Sequence, residues 1–416
     1  MRILFLTDNF PPEGNAPATR TYEHAIEWVN SGHQVTVITC APNFPEGVVY
    51  KGYKNKWYQV EEIDGVRVVR VKTYITANSG FVKRTLDYMS FMVSSFIAGL
   101  FQRRPDIIIG TSPQFFTVCS AWMLSLFRRR PFVFELRDLW PASIRVVGAM
   151  KDSRFIRALE HLEMFLYRRA AVIVSVTNAF KTELIERGIE SDKIEVVING
   201  VDLDRYSPRE KDQELIREYH LDDKFVVGYI GTHGMAHALH IVLEAADKIR
   251  DHKNIVFLFV GGGAYREELV SKSKSMKLEN VCFIERQPKE MMARIWSLCN
   301  ASLIQLRNDP LFKSVIPSKI FESMGMGLPI LLSLPEGEAS HIIHETGSGI
   351  IIPPEQPKLL AEAVVSLYEN TDRCSALANA SASAASSYSR LQQANKMLEV
   401  LNDVANDGRK NKCINK

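Results

Sequence analysis

Lys319 and Glu322 stand three residues apart within Pro317-Ser318-Lys319-Ile320-Phe321-Glu322-Ser323-Met324-Gly325-Met326-Gly327-Leu328-Pro329, a spacing that puts both on one helix face. Pro317 and Ser318 read as the helix start, Gly327 as its end, and Leu328-Pro329-Ile330 as the way into a strand. A cation at such a start can bind a diphosphate, and a carboxylate one turn later can accept hydrogen bonds from ribose hydroxyls. The same spacing also suits an ordinary surface ion pair. Gly231-Thr232-His233-Gly234-Met235-Ala236-His237 falls between a strand and a helix, where backbone amides hold anions; the competing reading is a turn with solvated histidines. Gly261-Gly262-Gly263 follows another apolar run and reads either as a turn whose amides face a ligand or as turn geometry alone. Asp8-Asn9-Phe10-Pro11-Pro12-Glu13-Gly14 ends the first apolar run, and Gly14 lets backbone approach a phosphate or sugar. No G-x-G-x-x-G follows that first strand, which argues against a dinucleotide enzyme.

Positioning these residues requires alternating strands and helices. Strands are expected at residues 2–7, 35–39, 66–71, 107–109, 132–136 and 172–176, with helical patterns between most of them. A polar stretch at 209–223 separates a second series: strands at 225–230, 255–260, 281–284, 301–305, 329–333 and 349–352, with helices at 241–249, after Tyr265 and near 291–298. Apolar strands alternating with helices imply parallel sheets covered on both faces. The expected division is residues 1–202, with 389–406 as a returning helix, then 203–388, then a frayed polar tail at 407–416. Ligands of such sheets bind beyond the carboxyl ends of the strands, which suggests a crevice between the two halves.

A chain of 416 residues that is 46% hydrophobic has ample core for two domains. Its net charge of +3 is too small for a general nucleic-acid footprint. Basic clusters are local, at Arg103-Arg104, Arg128-Arg129-Arg130 and Arg168-Arg169, and suit solvated helix ends. Six cysteines without metal-ligand spacing read as reduced, buried thiols, and the short apolar start meets Asp8 too soon for a signal peptide; a cytoplasmic protein is expected.

With these motifs in order over nearly the whole chain, together with Gly32-His33-Gln34-Val35-Thr36-Val37 and Asn199-Gly200-Val201-Asp202, the sequence closely resembles glycosyltransferase family 4. The resemblance implies a GT-B fold of two Rossmann-like doubly wound α/β domains facing a central cleft, an acceptor-side first half and a second half that binds the nucleotide-sugar donor. Phe10-Pro11-Pro12, Thr73-Tyr74-Ile75-Thr76-Ala77-Asn78 and Glu135-Leu136-Arg137-Asp138-Leu139-Trp140-Pro141 look like bacterial O-antigen and capsule enzymes that transfer N-acetylated 6-deoxyhexosamines such as N-acetyl-L-fucosamine. On that resemblance Glu322 corresponds to the carboxylate that holds the donor ribose, and Gly14 to the glycine near the diphosphate. The family's E-x7-E has Ser314 in place of its first glutamate, and its diphosphate-gripping Arg and Lys fall on Thr232 and His237. The charge role is therefore expected at Lys319, Arg286 and His237, with Gly231, Gly234 and Ser318 also lining the donor.

The resemblance implies retention of anomeric configuration, the acceptor hydroxyl attacking beside the departing diphosphate. Arg137-Asp138 replaces a His-Asp pair, and Asp138 is the candidate to orient or deprotonate the acceptor. No Asp-x-Asp stands where a loop would present it to a UDP-sugar, so neither a metal nor another cofactor is expected. The expected acceptor is a lipid-diphosphate-linked sugar. Residues 88–101 and 122–127 are nearly all apolar or small and too short to span a bilayer; they suit a buried helix or, with the nearby arginines, a peripheral contact with the cytoplasmic membrane. A nucleotide-sugar epimerase and a non-catalytic nucleotide-sugar-binding protein are the rival functions.

Overall fold

The computed structural model describes residues 1–44, 46–76, 81–112, 114–139 and 154–414. The chain forms two compact units, residues 1–199 with 393–416, and residues 200–392.

In chain order the first unit contains β1 (Arg2–Leu6), α1 (Ala16–Asn30), β2 (Gln34–Cys40), β3 (Tyr58–Ile63), β4 (Val66–Val71), α2 (Phe81–Leu100), β5 (Ile107–Thr111), α3 (Phe115–Arg128), β6 (Phe132–Leu136), α4 (Arg154–Arg169), β7 (Val172–Ser175), α5 (Asn178–Glu186) and β8 (Ile194–Val196). The sheet order is β3-β4-β2-β1-β5-β6-β7-β8, parallel except for β3. Continuous runs such as Ile107–Thr111 and Phe132–Leu136 are buried throughout, because helices cover both faces. On one face Phe91, Leu124, Leu166 and Tyr167 pack over Leu4, Ile108 and Phe134. On the other, Trp28 packs with Phe5, Val37 and Met397, and its Nε1 donates to Ala394 O at 3.0 Å. Met397 lies on the chain's last helix, Arg390–Ile414, which continues past residue 407, where the polar tail was expected to fray. The sequence expectation missed β3 and β8. β3 pairs antiparallel with β4 through Asp64-Gly65, a turn dipeptide flanked by alternating residues, which was the available signal.

The second unit contains α6 (Gln213–Glu218), β9 (Phe225–Ile230), α7 (His240–Lys248), β10 (Ile255–Val260), α8 (Arg266–Ser275), β11 (Val281–Ile284), α9 (Met292–Trp296), β12 (Ala301–Gln305), α10 (Lys319–Gly325), β13 (Ile330–Ser333), α11 (Glu338–Thr346), β14 (Gly349–Ile352), α12 (Pro357–Glu369) and α13 (Thr371–Ala385), before α14 (Arg390–Ile414). Its sheet is parallel, in the order β11-β10-β9-β12-β13-β14. All six residues of β10 are buried, and Phe257 and Phe259 anchor a core with Leu243 and Val364. Each such side chain contributes about 1.5 to 3 kcal/mol on burial. Cys40, Cys119 and Cys299 are buried free thiols, and Cys282 and Cys374 are half-buried and free.

Candidate functional site

The carboxyl ends of β9, β10 and β11 carry the glycine loops. Gly231 N donates to Val260 O at 2.8 Å, and Gly261 N to Ile284 O at 3.1 Å; His233 N then donates to Gly262 O at 2.9 Å and Tyr265 N to His233 O at 3.0 Å. The loops after β9 and β10 are thus stitched backbone to backbone. A β-carbon on Gly261 would lie 2.1 Å from Gly231 O, and one on Gly263 would lie 2.5 Å from His233 O. Close packing of the two loops accounts for both glycines, which favours the turn reading of Gly261-Gly262-Gly263.

Gly231 has a different neighbour. Its φ is 149°, and a β-carbon there would lie 2.5 Å from Lys319 Nζ. Lys319 is the first residue of α10, and its ammonium sits 4.2 Å from the centroid of the Tyr229 ring. The Tyr229 hydroxyl is held by donation to Thr232 O at 2.7 Å. Burial pushes the Lys319 pKa down to about 8, against the pull of Glu322. Among the described residues Lys319 Nζ has no hydrogen-bond or ion-pair partner and is held by the ring face alone. Glu322, one turn on, does not close an ion pair with it: Glu322 Oε2 accepts from Trp296 Nε1 at 3.3 Å. Burial raises the Glu322 pKa, while Lys319 and the Trp296 hydrogen bond lower it. The ordinary surface pair is therefore replaced by two half-buried charges with capacity to spare.

The other donor-side candidates sort by their contacts. His237 Nδ1 is 3.2 Å from Gln305 O, and burial beside Lys319 lowers its pKa. It is kept as a neutral imidazole, so the expected cationic role gives way to hydrogen bonding. His233 is fully buried, its pKa pushed down to about 4 by burial, Arg266, Lys319 and His237. Solvated histidines are thus excluded. Ser318 and Arg286 are exposed, and Arg286 Cβ lies 3.9 Å from where a β-carbon on Gly262 would stand. Gly234 is not sterically required, since an added β-carbon would meet only ordinary contacts at 3.7 and 3.9 Å. Ser314 Oγ donates to Leu311 O at 3.2 Å, a local turn bond that a glutamate would not make. Lys319, Glu322, Gly231 and His237 thus form one cluster, with Arg286 and Ser318 at exposed positions in the same unit.

In the first unit, Gly14 is exposed, with open space around it, and precedes Asn15, whose side chain caps α1 by accepting from Ala18 N at 2.9 Å. Arg137 donates to Pro17 O and Ala16 O, each at 3.1 Å, and lies beside Glu135; burial lowers its pKa to about 10. Its guanidinium thus holds the start of α1. Asp138 is half-buried, its amide 3.4 Å from Ser112 Oγ. Trp140, Pro141, Ala77 and Asn78 lie outside the described residues.

Two clusters escaped the sequence reading. Arg20 and Glu135 form a buried ion pair at 3.0 Å, and Arg20 also donates to Ile198 O at 2.7 Å, Val197 O at 2.8 Å and Asn199 Oδ1 at 3.2 Å. At the carboxyl end of β1, Asp8 accepts from the Gln114 carboxamide, leaving Asp8 Oδ1 and Gln114 Oε1 buried without partners. Burial, Asp87 and Glu13 hold the Asp8 pKa well above the usual carboxylate range, and burial pushes Asp87 up to about 7. Residues 115 and 106 positions apart in sequence give no local signal.

Comparison with known proteins bears on the family of the whole chain. Residues 15–200 match the profile of the "Glycosyl transferase 4-like domain" and residues 211–384 that of "Glycosyl transferases group 1". The chain is 24% identical over 88% of its length, and 91% of the relative's, to WcaI of Escherichia coli, named for colanic acid biosynthesis glycosyl transfer. It is 26% identical to the D-rhamnosyltransferase WbpZ of Pseudomonas aeruginosa over 50% of this chain and 52% of that one. Among solved structures it resembles Anabaena HepE in complex with UDP, at a TM-score of 0.70 and 17% identity, covering 97% and 100% of the two chains. WaaG, a glycosyltransferase involved in lipopolysaccharide biosynthesis, superposes at a TM-score of 0.65 and 15% identity, covering 96% and 99% of the two chains. The two profiles together span most of the chain, and on them and the fold the protein belongs to glycosyltransferase family 4, with the GT-B architecture.

Proposed function

We propose that the protein transfers a sugar, with retention, from a UDP-linked donor to a lipid-diphosphate-linked glycan at the cytoplasmic face of a membrane, in O-antigen or capsule synthesis. The observation that carries the donor assignment is the unpaired Lys319 ammonium held over Tyr229 beside the Gly231 backbone. A diphosphate supplies the anion this cation lacks, and Arg286 and Ser318 add donors at exposed positions. Glu322 takes the ribose hydroxyls, and His237, whose Nδ1–H is given to Gln305 O, presents Nε2 as an acceptor to a donor hydroxyl. HepE, a structural neighbour, has been solved with UDP and with UDP-glucose, which supports a uridine nucleotide. The choice of an N-acetylated 6-deoxyhexosamine rests on the resemblance of residues 10–12, 73–78 and 135–141 alone.

In the transfer, the anomeric C–O bond to the diphosphate breaks as the acceptor oxygen bonds the same carbon. The hydroxyl proton passes to the departing diphosphate, and Lys319 stabilises the charge that develops there. Asp138 orients the acceptor hydroxyl, Arg137 and Gly14 shape the loop before α1, and no metal takes part.

Calorimetric titration with UDP and with uridine tests the site. Lys319→Met should weaken UDP at least about tenfold and leave uridine unchanged, whereas Glu322→Ala should weaken both by about tenfold or more. UDP affinity within about twofold of wild type in both variants would remove the assignment. Bound UDP without transfer to any lipid-linked acceptor would favour a nucleotide-sugar-binding protein, and a rearranged free nucleotide sugar would favour an epimerase.

A further inference from the structure

Helix α2 is buried on one side only. Phe91, Ser95 and Ala98 face the core, and Ser95 Oγ meets Ser120 Oγ of α3 at 2.9 Å. On the other side Leu86, Met89, Val93 and Ile97 are exposed, and Phe101, just past the helix end, is 77% exposed. At about 100° per residue these five positions fall within roughly a third of the helix circumference, so they form a stripe about 20 Å long. Phe127 of α3 extends it: its ring meets Phe96 at 5.4 Å and is 70% exposed. At the same end Gln102 Nε2 donates to Tyr58 OH at 3.1 Å, which brings the exposed Trp57-Tyr58 pair alongside.

Three features decide what covers this stripe. It is a stripe of single side chains along one face of one helix. Its charged surroundings are basic: Lys83 falls at the same helical angle as Phe101, Arg84 is exposed beside it, and Arg103 and Arg104 are exposed just beyond Phe101. The sole carboxylate of the helix, Asp87, is half-buried and close enough to Asp8 to raise its pKa. Finally, the last carbonyls of α2 are engaged: Arg128 donates to Gly99 O at 3.1 Å and to Leu100 O, as well as to Gln102 O just beyond the helix at 2.9 Å, and Gln102 Nε2 donates to Ala98 O at 2.8 Å. A helix end capped in this way can lie against an apolar medium without stranding its acceptors. Among the described residues no helix is long and apolar enough to cross a membrane.

We propose that the outer face of α2, with Phe127 and the Trp57-Tyr58 corner, is a docking surface for an anionic lipid bilayer, the stripe entering the interface while Lys83, Arg84, Arg103 and Arg104 meet the headgroups. It rests on the reading of a lipid-carried acceptor and names the surface that brings the enzyme to it. Apolar ridges flanked by basic residues and aromatic corners bind at this depth, and the attraction weakens with salt.

Co-sedimentation with vesicles tests this. The wild type should pellet with phosphatidylglycerol–phosphatidylcholine vesicles at low salt, less at high salt, and weakly with phosphatidylcholine alone. Arg103→Ala with Arg104→Ala should lower the partition about thirtyfold, from about fivefold for each basic residue. Val93→Ser with Ile97→Ser and Phe101→Ser should abolish it, with thermal midpoint and UDP affinity unchanged. Wild-type protein that stays in the supernatant at low salt, or pelleting indifferent to both variants, would overturn the proposal. So would a dimer, seen by light scattering, that the triple serine variant dissolves, since a second copy would then cover the stripe. UDP titration of the same samples reports on the donor reading separately.

Discussion

Gly231 and Lys319 occupy one another's space: the β-carbon that glycine lacks would stand 2.5 Å from the lysine Nζ. The glycine at the end of β9 therefore serves the cation on α10. Gly231→Ala should displace the ammonium from the Tyr229 ring and weaken UDP at least about tenfold. Gly234→Ala is the control, because its β-carbon meets nothing closer than 3.7 Å, and should stay within about twofold. Calorimetric Kd values for both variants check this; equal values would mean that Lys319 does not meet the nucleotide.

The lowered pKa of Lys319, about 8, sets a pH dependence. In the free protein the ammonium is lost as pH rises through 8, so UDP affinity should fall between pH 7 and 9, while Lys319→Met and uridine binding should be flat. For stability the sign is opposite. The unfolded lysine titrates near 10.4, so the unfolded chain binds more protons between 8 and about 10.4. The contribution of Lys319 to stability is fullest above that window and is lost as pH falls through 8. A UDP Kd independent of pH in this range would contradict the assignment.

Asp8 carries the reverse shift. Its folded pKa lies well above the unfolded value of about 3.9, so the folded state holds the extra proton, and the group's contribution to stability is lost as pH rises through the folded pKa. Asp87, Glu13, Tyr88, Cys40 and Gln114 all face or influence this carboxyl. Asp8→Asn keeps the shape and removes the cost of keeping this carboxyl protonated or burying its charge, so thermal denaturation at neutral pH should show a higher midpoint than wild type. A lower midpoint would mean that ionised Asp8 holds the fold.

The Arg20–Glu135 pair has the opposite character, since both side chains are almost fully buried and the arginine also satisfies the carbonyls of Val197 and Ile198. Arg20→Met should cost about 3 to 5 kcal/mol in urea denaturation, because it removes the ion-pair partner of a buried carboxylate whose Oε2 already lacks a hydrogen bond and leaves only Arg137 as a nearby cation. Adding Glu135→Gln should recover part of that loss. A single variant as stable as wild type would show that the pair is dispensable.

The residues of the candidate site stood out in the sequence because their spacing is local. Lys319 and Glu322 share a helix face through a spacing of three, Gly231 ends a strand, and all six strands of the second unit announced themselves as apolar runs between turn residues. The same reasoning recovered six of the eight strands of the first unit and overlooked β3 and β8, a half-exposed edge strand and a strand of three residues, where the apolar signal is weak. What the tertiary structure decided was partnership. Whether Lys319 meets Glu322 or the Tyr229 ring, whether His237 carries charge, and whether Arg137 faces a substrate or the start of α1 depend on burial and on residues distant in sequence. Helix α2 shows the limit most plainly: its composition suits a buried helix and also admits a membrane-facing one. Only the packing of α3 against Phe91 and Ser95 determined which residues were left on the outside.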